Sequence, residues 1–253
     1  MPEESPIAVV APTFAEAAPF VRRLQGIQGP IRLGTASAVT GRLGDHVLVA
    51  GWTGGGVGAA HQGLQELLDH FEPQRLVVIG VAAGVTSALN TGDCVVARRI
   101  RDAEGDAPEP DRQWGLRATL LGAHPGLVYT QSTLLTTSRE KLELGRRLGV
   151  QLAGTSDLES TAYARLAGSR GLPFTVVRAI IDPADESLPF DGNHLLRPGG
   201  GTSTAQVLRY GTLRPWVIPS IWRLRGRLRK CSEKLAAMAE WLVAKPARWK
   251  VSP

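Results

Sequence analysis

From Pro173 to Ile181 the chain reads Pro-Phe-Thr-Val-Val-Arg-Ala-Ile-Ile, almost unbroken in β-branched and apolar residues, and then stops at Asp182-Pro183. A strand with one wet face alternates polar with apolar; a run like this suits a strand covered on both faces. Covering both faces takes helices on either side of a sheet, so this one segment directs the chain toward an α/β fold. Proline cannot continue a central strand, which puts Asp182 at the strand's C-terminal mouth. Its side chain is expected to be free and to point into the crevice where such sheets hold ligands. Arg178, four residues earlier, is expected on the same face, either orienting a site or serving as a structural arginine.

The rest of the sequence alternates in the same way. Ile7-Ala-Val-Val10 reads as a first strand and Phe14 to Leu24 as a helix with Glu16 in its first turn. Thr35 to Gly41 and His46 to Ala50 read as a hairpin around Gly44-Asp45. A glycine cluster, Gly51-Trp-Thr-Gly-Gly-Gly-Val-Gly58, leads into a helix from Ala59 to Phe71. Arg75 to Ile79 is another buried strand, Gly80 to Gly84 a small-residue turn, and Asp93 to Ala97 one more strand. Residues 101–115, rich in Asp, Glu, Pro and Gly, read as a surface loop. In Thr155-Ser-Asp-Leu-Glu-Ser160, Ser156 and Asp157 are competent N-caps, and Glu159 falls in the first helical turn, facing either the helix dipole or a site. The order implies a mixed, mainly parallel sheet with helices on both faces.

Several function classes are excluded or weakened. The glycine cluster lacks the G-x-G-x-x-G spacing, and no acid ends a second strand to meet a ribose, so a nicotinamide cofactor is not expected. The phosphate-loop pattern is absent. The five histidines have no partner at i+3 or i+4, and Cys94 and Cys231 lie far apart, so neither a metal centre nor a disulfide framework is expected. No cofactor is implied. No apolar run is long enough to span a bilayer and no leader precedes the first strand, which makes a cytoplasmic protein the default expectation.

The charge is local. From Gly192 onward twelve Lys and Arg face two acids, whereas residues 1–191 hold seventeen against twenty-one. Trp216, Trp222, Trp241 and Trp249 are interleaved with this basic tail. Residues 192–221 read as a basic, Pro/Gly-rich insertion, and 222–243 as an amphipathic helix whose stripe is Leu224, Leu228, Cys231, Leu235, Met238 and Leu242. The stripe suits packing on the sheet. The basic, aromatic character also suits an anionic membrane surface and a peripheral position on the inner face of the cytoplasmic membrane. Nucleic-acid binding is the rival reading of the same tail.

Four ordered segments carry a resemblance: Ile7 to Glu16, Ile79 to Gly84 with Thr91 to Val96, Ser156 to Ser160, and Val177 to Asp182. Together they resemble the nucleoside phosphorylase and nucleosidase superfamily, most of all the methylthioadenosine/S-adenosylhomocysteine nucleosidases. From Leu195 onward the chain resembles the hopanoid-associated phosphorylase branch, tied to removal of adenine from adenosylhopane. The resemblance implies a single nucleosidase-like domain over residues 1–253, a three-layer α/β/α fold with a central twisted mixed sheet, and a homodimer. It implies that Asp182 protonates the departing purine, Glu159 holds the ribose hydroxyls and Glu16 handles the attacking water. Leu158, Arg178, Val81, Ala82, Gly55, Leu134 and Leu135 are the implied substrate contacts, the two leucines lying against the base. The implied substrate is a lipid-linked nucleoside, with methylthioadenosine or futalosine as alternatives.

The set makes chemical sense, because breaking an N-glycosidic bond builds positive charge on the sugar and negative charge on the base. Two departures bear on the reaction. The segment Gly80 to Gly84 offers no hydroxyl for phosphate, which favours hydrolysis over phosphorolysis. Ile181 stands where a serine usually precedes the aspartate, which removes a hydrogen bond that would orient Asp182.

Overall fold

The computed structural model describes residues 5–188 and 218–244. Ten strands and six helices follow in the order β1 (Ile7–Ala11), α1 (Phe14–Val21), β2 (Gln25–Leu33), β3 (Ala36–Leu43), β4 (His46–Trp52), α2 (Val57–Phe71), β5 (Arg75–Gly84), β6 (Cys94–Asp102), β7 (Gly105–Asp106), α3 (Arg112–Leu120), β8 (His124–Thr130), α4 (Ser138–Arg147), β9 (Gly154–Asp157), α5 (Ser160–Ser169), β10 (Phe174–Asp182) and α6 (Ile218–Ala244). All ten strands form one mixed sheet. The parallel pairs are β4–β1, β1–β5, β5–β10, β6–β8 and β8–β9. Strand β10 runs antiparallel to β6, and β9 antiparallel to β5. Strands β5, β10, β6, β8 and β9 therefore close on themselves, while β1, β4, β3 and β2 extend the sheet outward.

Both faces are covered, as the buried run at β10 requires. Val177 and Ala179 look toward α1, α3 and α6 in one apolar cluster, and Val176 and Phe174 toward α2 and α5 in the other. The expected hairpin is present, with Gly44 at φ 58° in its turn.

Beyond shifts of a few residues at helix ends, three stretches differ from expectation. Residues 101–115 are not one loop: β6 reaches Asp102, β7 pairs back on it, and α3 starts at Arg112. The Asp111 carboxylate caps α3 by accepting from Gln113 and Trp114 N–H, so the acid that suggested a loop is the helix start. Gly80 to Gly84 is no turn but the end of β5, paired to β10 and then β9. Strand β2 had no pattern to reveal it; it carries two glycines and a proline, is almost wholly exposed, and pairs with β3 alone, as an edge strand can.

Residues 192–217 of the expected 192–221 insertion and the residues after 244, Trp216 and Trp249 among them, lie outside the described residues, while 218–221, expected as the insertion's end, are the first turn of α6. Helix α6 has two halves. Cys231, Leu235, Met238 and Leu242 are buried in the main core, whereas Trp222, Arg223, Arg225, Arg229 and Lys230 are exposed and Leu224 and Leu228 half-buried. Arg22 and Arg23, just past the end of α1, bind Glu233 and Glu240, fastening the buried half.

Candidate active site

Strand β1 delivers the chain to the C-terminal edge of the sheet, where Thr13 caps α1 in a capping box with Glu16. The Glu16 carboxylate accepts from Thr13 N–H at 3.1 Å and Thr13 Oγ1 at 2.5 Å through Oε2. Its other oxygen, Oε1, accepts from Val81 N–H at 3.0 Å. One carboxylate thus serves the helix start and the edge of β5 together. Glu16 is only 4% exposed, and burial pushes its carboxyl above the ordinary range, against the hydrogen bonds of Thr13 and Val81 and the charge of Arg178.

Arg178 is fully buried on β10, beside Gly80. Its Nε lies 2.7 Å from Asp157 Oδ2, and Nε and Nη2 both donate to Ser160 Oγ, at 3.1 and 2.9 Å. Asp157 also accepts from Thr130 Oγ1 at 2.8 Å and from the Ser160 hydroxyl. Nη1 of Arg178 has no hydrogen-bond partner among the described residues. It runs across Gly80, where a Cβ would stand 1.8 Å from Nη1 and 3.3 Å from Glu16 Oε1. Glycine at 80 leaves the lane through which the guanidinium reaches toward Glu16.

Glu159 is the N-cap residue of α5, and its side chain does not cap it. Its Oε1 instead accepts from Gly56 N–H at 2.7 Å, on the loop after β4. Gly54 and Gly56 have φ of 95° and 84°, a backbone that needs glycine, so the glycine cluster is built to turn an amide toward this carboxylate. Burial, and next the charge of Asp157, push Glu159 up to about 7, with Arg178 opposing.

Ser156 and Asp157, expected as N-caps, lie instead in β9, paired with β5 and β8. The helix starts after them because β9 needs their backbone groups for the sheet.

Asp182 is 5% exposed and is not free: its Oδ2 meets Lys141 Nζ of α4 at 2.6 Å. Nor does it share a face with Arg178. The register with β5 shifts between Ile180 and Asp182, so Ile180 pairs with Ala82 and Asp182 with Ala83. One extra residue inverts the alternation of a strand, and Ile181 is that residue. Arg178 and Asp182 accordingly have different partners.

The structure thus brings Glu16, Val81, Arg178 and Glu159 together, with Ala82 buried next to Val81 and Gly55 buried next to the amide that binds Glu159. Leu158 is half-buried beside Glu159. Leu134 is half-buried ahead of α4, and Leu135 packs against the Val85, Tyr129 and Leu144 cluster. The pairing of Asp157 and Ser160 with Arg178, and Lys141 altogether, had no counterpart among the sequence expectations. Lys141 had a signal: with Leu144, Gly145 and Leu148 it falls at i, i+3, i+4 and i+7, a lysine inside an apolar stripe.

The family model of the phosphorylase superfamily matches residues 6–209. The chain belongs to the phosphorylase superfamily. Its fold is also that of solved nucleosidases. A 5'-methylthioadenosine/S-adenosylhomocysteine nucleosidase of Helicobacter pylori, with 5'-methylthioadenosine in its active site, superposes with a TM-score of 0.74 at 14% identity, covering 95% of this chain and 99% of that one. Futalosine hydrolase of Helicobacter pylori gives 0.73 at 14% identity, over 94% and 97%. The nucleosidase of S. pneumoniae gives 0.70 at 18% identity, over 93% and 97%. As a member of the superfamily, this chain carries its carboxylates and arginine at the sheet edge where α/β folds hold ligands.

Proposed function

We propose that this protein hydrolyses the N-glycosidic bond of an adenine nucleoside, and that its substrate is adenosylhopane, giving ribosylhopane and adenine in hopanoid biosynthesis. Asp182 gives its proton to N7 of the purine, the electron pair of the C1'–N9 bond goes to the base, and water attacks C1' and passes a proton to Glu16. Glu159 accepts hydrogen bonds from the ribose hydroxyls. These interactions strengthen as charge separates, which is what a transition state requires.

The observation that carries hydrolysis is Nη1 of Arg178, a buried donor without a partner among the described residues, lying beside Glu16 Oε1. A buried donor next to a carboxylate suits a bound water, which can donate to one and accept from the other. A phosphate dianion suits the place poorly: the charge of Arg178 is already matched by Asp157, and Glu16 and Glu159 would repel it. Thr86, the first hydroxyl after β5, donates to Leu152 O.

The lipid-linked substrate is supported by the rim. Phe14 and Val57, which open the two helices next to Glu16 and Gly56, are 53% and 44% exposed, and Phe14 rests on Trp52 with ring centroids 4.8 Å apart. Apolar groups this exposed at a site mouth suit a substrate that is not taken from water. A homodimer and an anionic membrane surface are the proposed partners. Nucleic-acid binding has no use for these buried carboxylates.

The test is adenine release from adenosylhopane and from methylthioadenosine, each with and without phosphate. Release from adenosylhopane without phosphate is expected, and Asp182→Asn is expected to abolish it while the circular-dichroism spectrum stays unchanged. Phosphate-dependent release with a ribose 1-phosphate product would replace hydrolysis by phosphorolysis. Release from methylthioadenosine alone would make this a small-molecule nucleosidase, and release from neither would remove the enzyme reading.

A further inference from the structure

Lys141 is fully buried on α4, and its ammonium group is saturated. Besides Asp182 Oδ2 at 2.6 Å, it donates to the carbonyl oxygens of Pro183 at 3.1 Å and Glu186 at 2.8 Å. Three protons meet three acceptors, all on residues 182–186, the turn that leaves β10. Among the described residues Lys141 is the hydrogen-bond donor to the Asp182 carboxylate. Ile181, the neighbour in sequence, has no hydroxyl to offer. The helix that carries the lysine is itself fixed, by a capping box between Thr137 and Glu140 and by Leu144 in a small core with Val85 and Tyr129.

We propose that Lys141 is the positioning residue for Asp182, holding the carboxylate and the 182–186 turn in place and matching the negative charge left on Asp182 after its proton has gone to N7. The proposal rests on Asp182 being the general acid. Lys141 keeps all three of its protons through the step: Asp182 loses one, the purine gains it, and no other proton moves at this end of the site.

The groups that face Asp182 are Lys141 from α4, Glu186 from the turn, and Arg227 and Cys231 from α6. Burial raises the Asp182 carboxyl, Lys141 most strongly opposes it, Glu186 raises it and Arg227 lowers it. Arg227 is held 2.8 Å from Glu186, so these two largely offset each other. Taking away the Lys141 charge removes the strongest opposition to burial, and the carboxyl then keeps its proton to higher pH.

The experiment is the pH profile of kcat/KM over about pH 5 to 10 for wild type, Lys141→Met, Lys141→Arg and Asp182→Asn, on whichever of adenosylhopane and methylthioadenosine is cleaved. In Lys141→Met the alkaline limb is expected to move to higher pH, while the rate on the plateau falls by about a hundredfold. In Lys141→Arg the limb is expected to stay where wild type has it, with part of the rate recovered. A Met variant that loses rate with its limb unmoved would make Lys141 a strut and overturn the proposal. If the Met variant does not fold, the Arg variant decides: a displaced limb despite the retained cation overturns the proposal. Wild-type turnover in Asp182→Asn would instead remove Asp182 as the acid, a failure of the underlying reading that the lysine variants by themselves would not produce.

Discussion

Glu159 sits beside Asp157 in a buried site, and its carboxyl is raised from 4.5 to about 7. A carboxyl raised on folding binds its proton more tightly in the folded than in the unfolded chain. Its contribution to stability is therefore complete below 4.5 and lost as the pH climbs to about 7, a loss of about 3 kcal/mol at most. Glu159→Gln keeps an oxygen for Gly56 N–H and removes the charge. Its urea midpoint is expected to exceed that of wild type at about pH 8 and to match it at about pH 5. An equal difference at both values would mean that the carboxyl is not raised. At this scale the sequence made three acids visible, because Glu16, Glu159 and Asp182 each end or open an element at a recognisable motif. It hid their partners. The pairing of Asp157 with Arg178, or of Lys141 with Asp182, depends on which elements the topology brings together, and no local pattern records that.

Helix α4 shows how an element carries a site residue it does not itself contain. It packs so closely on the end of β5 that a Cβ at Gly145 would meet Val85 O at 2.0 Å. Helix propensity alone favours alanine over glycine by about 1 kcal/mol. Here the contact is with backbone, which cannot swing aside, so Gly145→Ala is expected to cost roughly 1–3 kcal/mol and to lower activity by shifting Lys141. Gly58→Ala in α2, with nothing within 4 Å of the new Cβ, is the control and is expected to be neutral or mildly stabilising. Thermal unfolding of the pair checks both signs, and equal midpoints would show that α4 has room. The legible elements were those with a strong period or an unbroken apolar run, β1, β5, β10 and α2. Strand β2 and helix α3 were not, the first because an exposed edge strand needs no apolar face, the second because its capping aspartate lies in a stretch whose composition reads as loop. The bulge at Ile181 escaped for a related reason. A one-residue slip leaves composition unchanged and appears only when two strands are laid side by side.

Among the described residues, exposed positive charge gathers on the first half of α6. That half holds Arg223, Arg225, Arg229 and Lys230 exposed around Trp222, which is 66% exposed with Arg225 over its ring. No helix among the described residues is long and apolar enough to cross a membrane. Removing the tail to test contact with lipid would also remove Leu235, Met238 and Leu242 from the main core. Replacing the four basic residues by serine is the cleaner change. Binding to vesicles rich in anionic lipid is expected to fall by on the order of a hundredfold, and wild-type binding to fade with salt. Equal flotation with neutral vesicles would remove the electrostatic role. The same architecture limits how the protein can adapt to a bulky ligand. With β5, β10, β6, β8 and β9 closed in a ring, no strand in that circuit can part from its neighbour without breaking a ladder on its other side, and three of the site's anchors, Val81, Asp157 and Arg178, sit on its staves. Room for an unusual substrate has to come from the helix starts and turns around the rim, so a change of specificity in this scaffold would be written in Phe14, Val57 and the 182–186 turn while the hoop beneath them stays as it is.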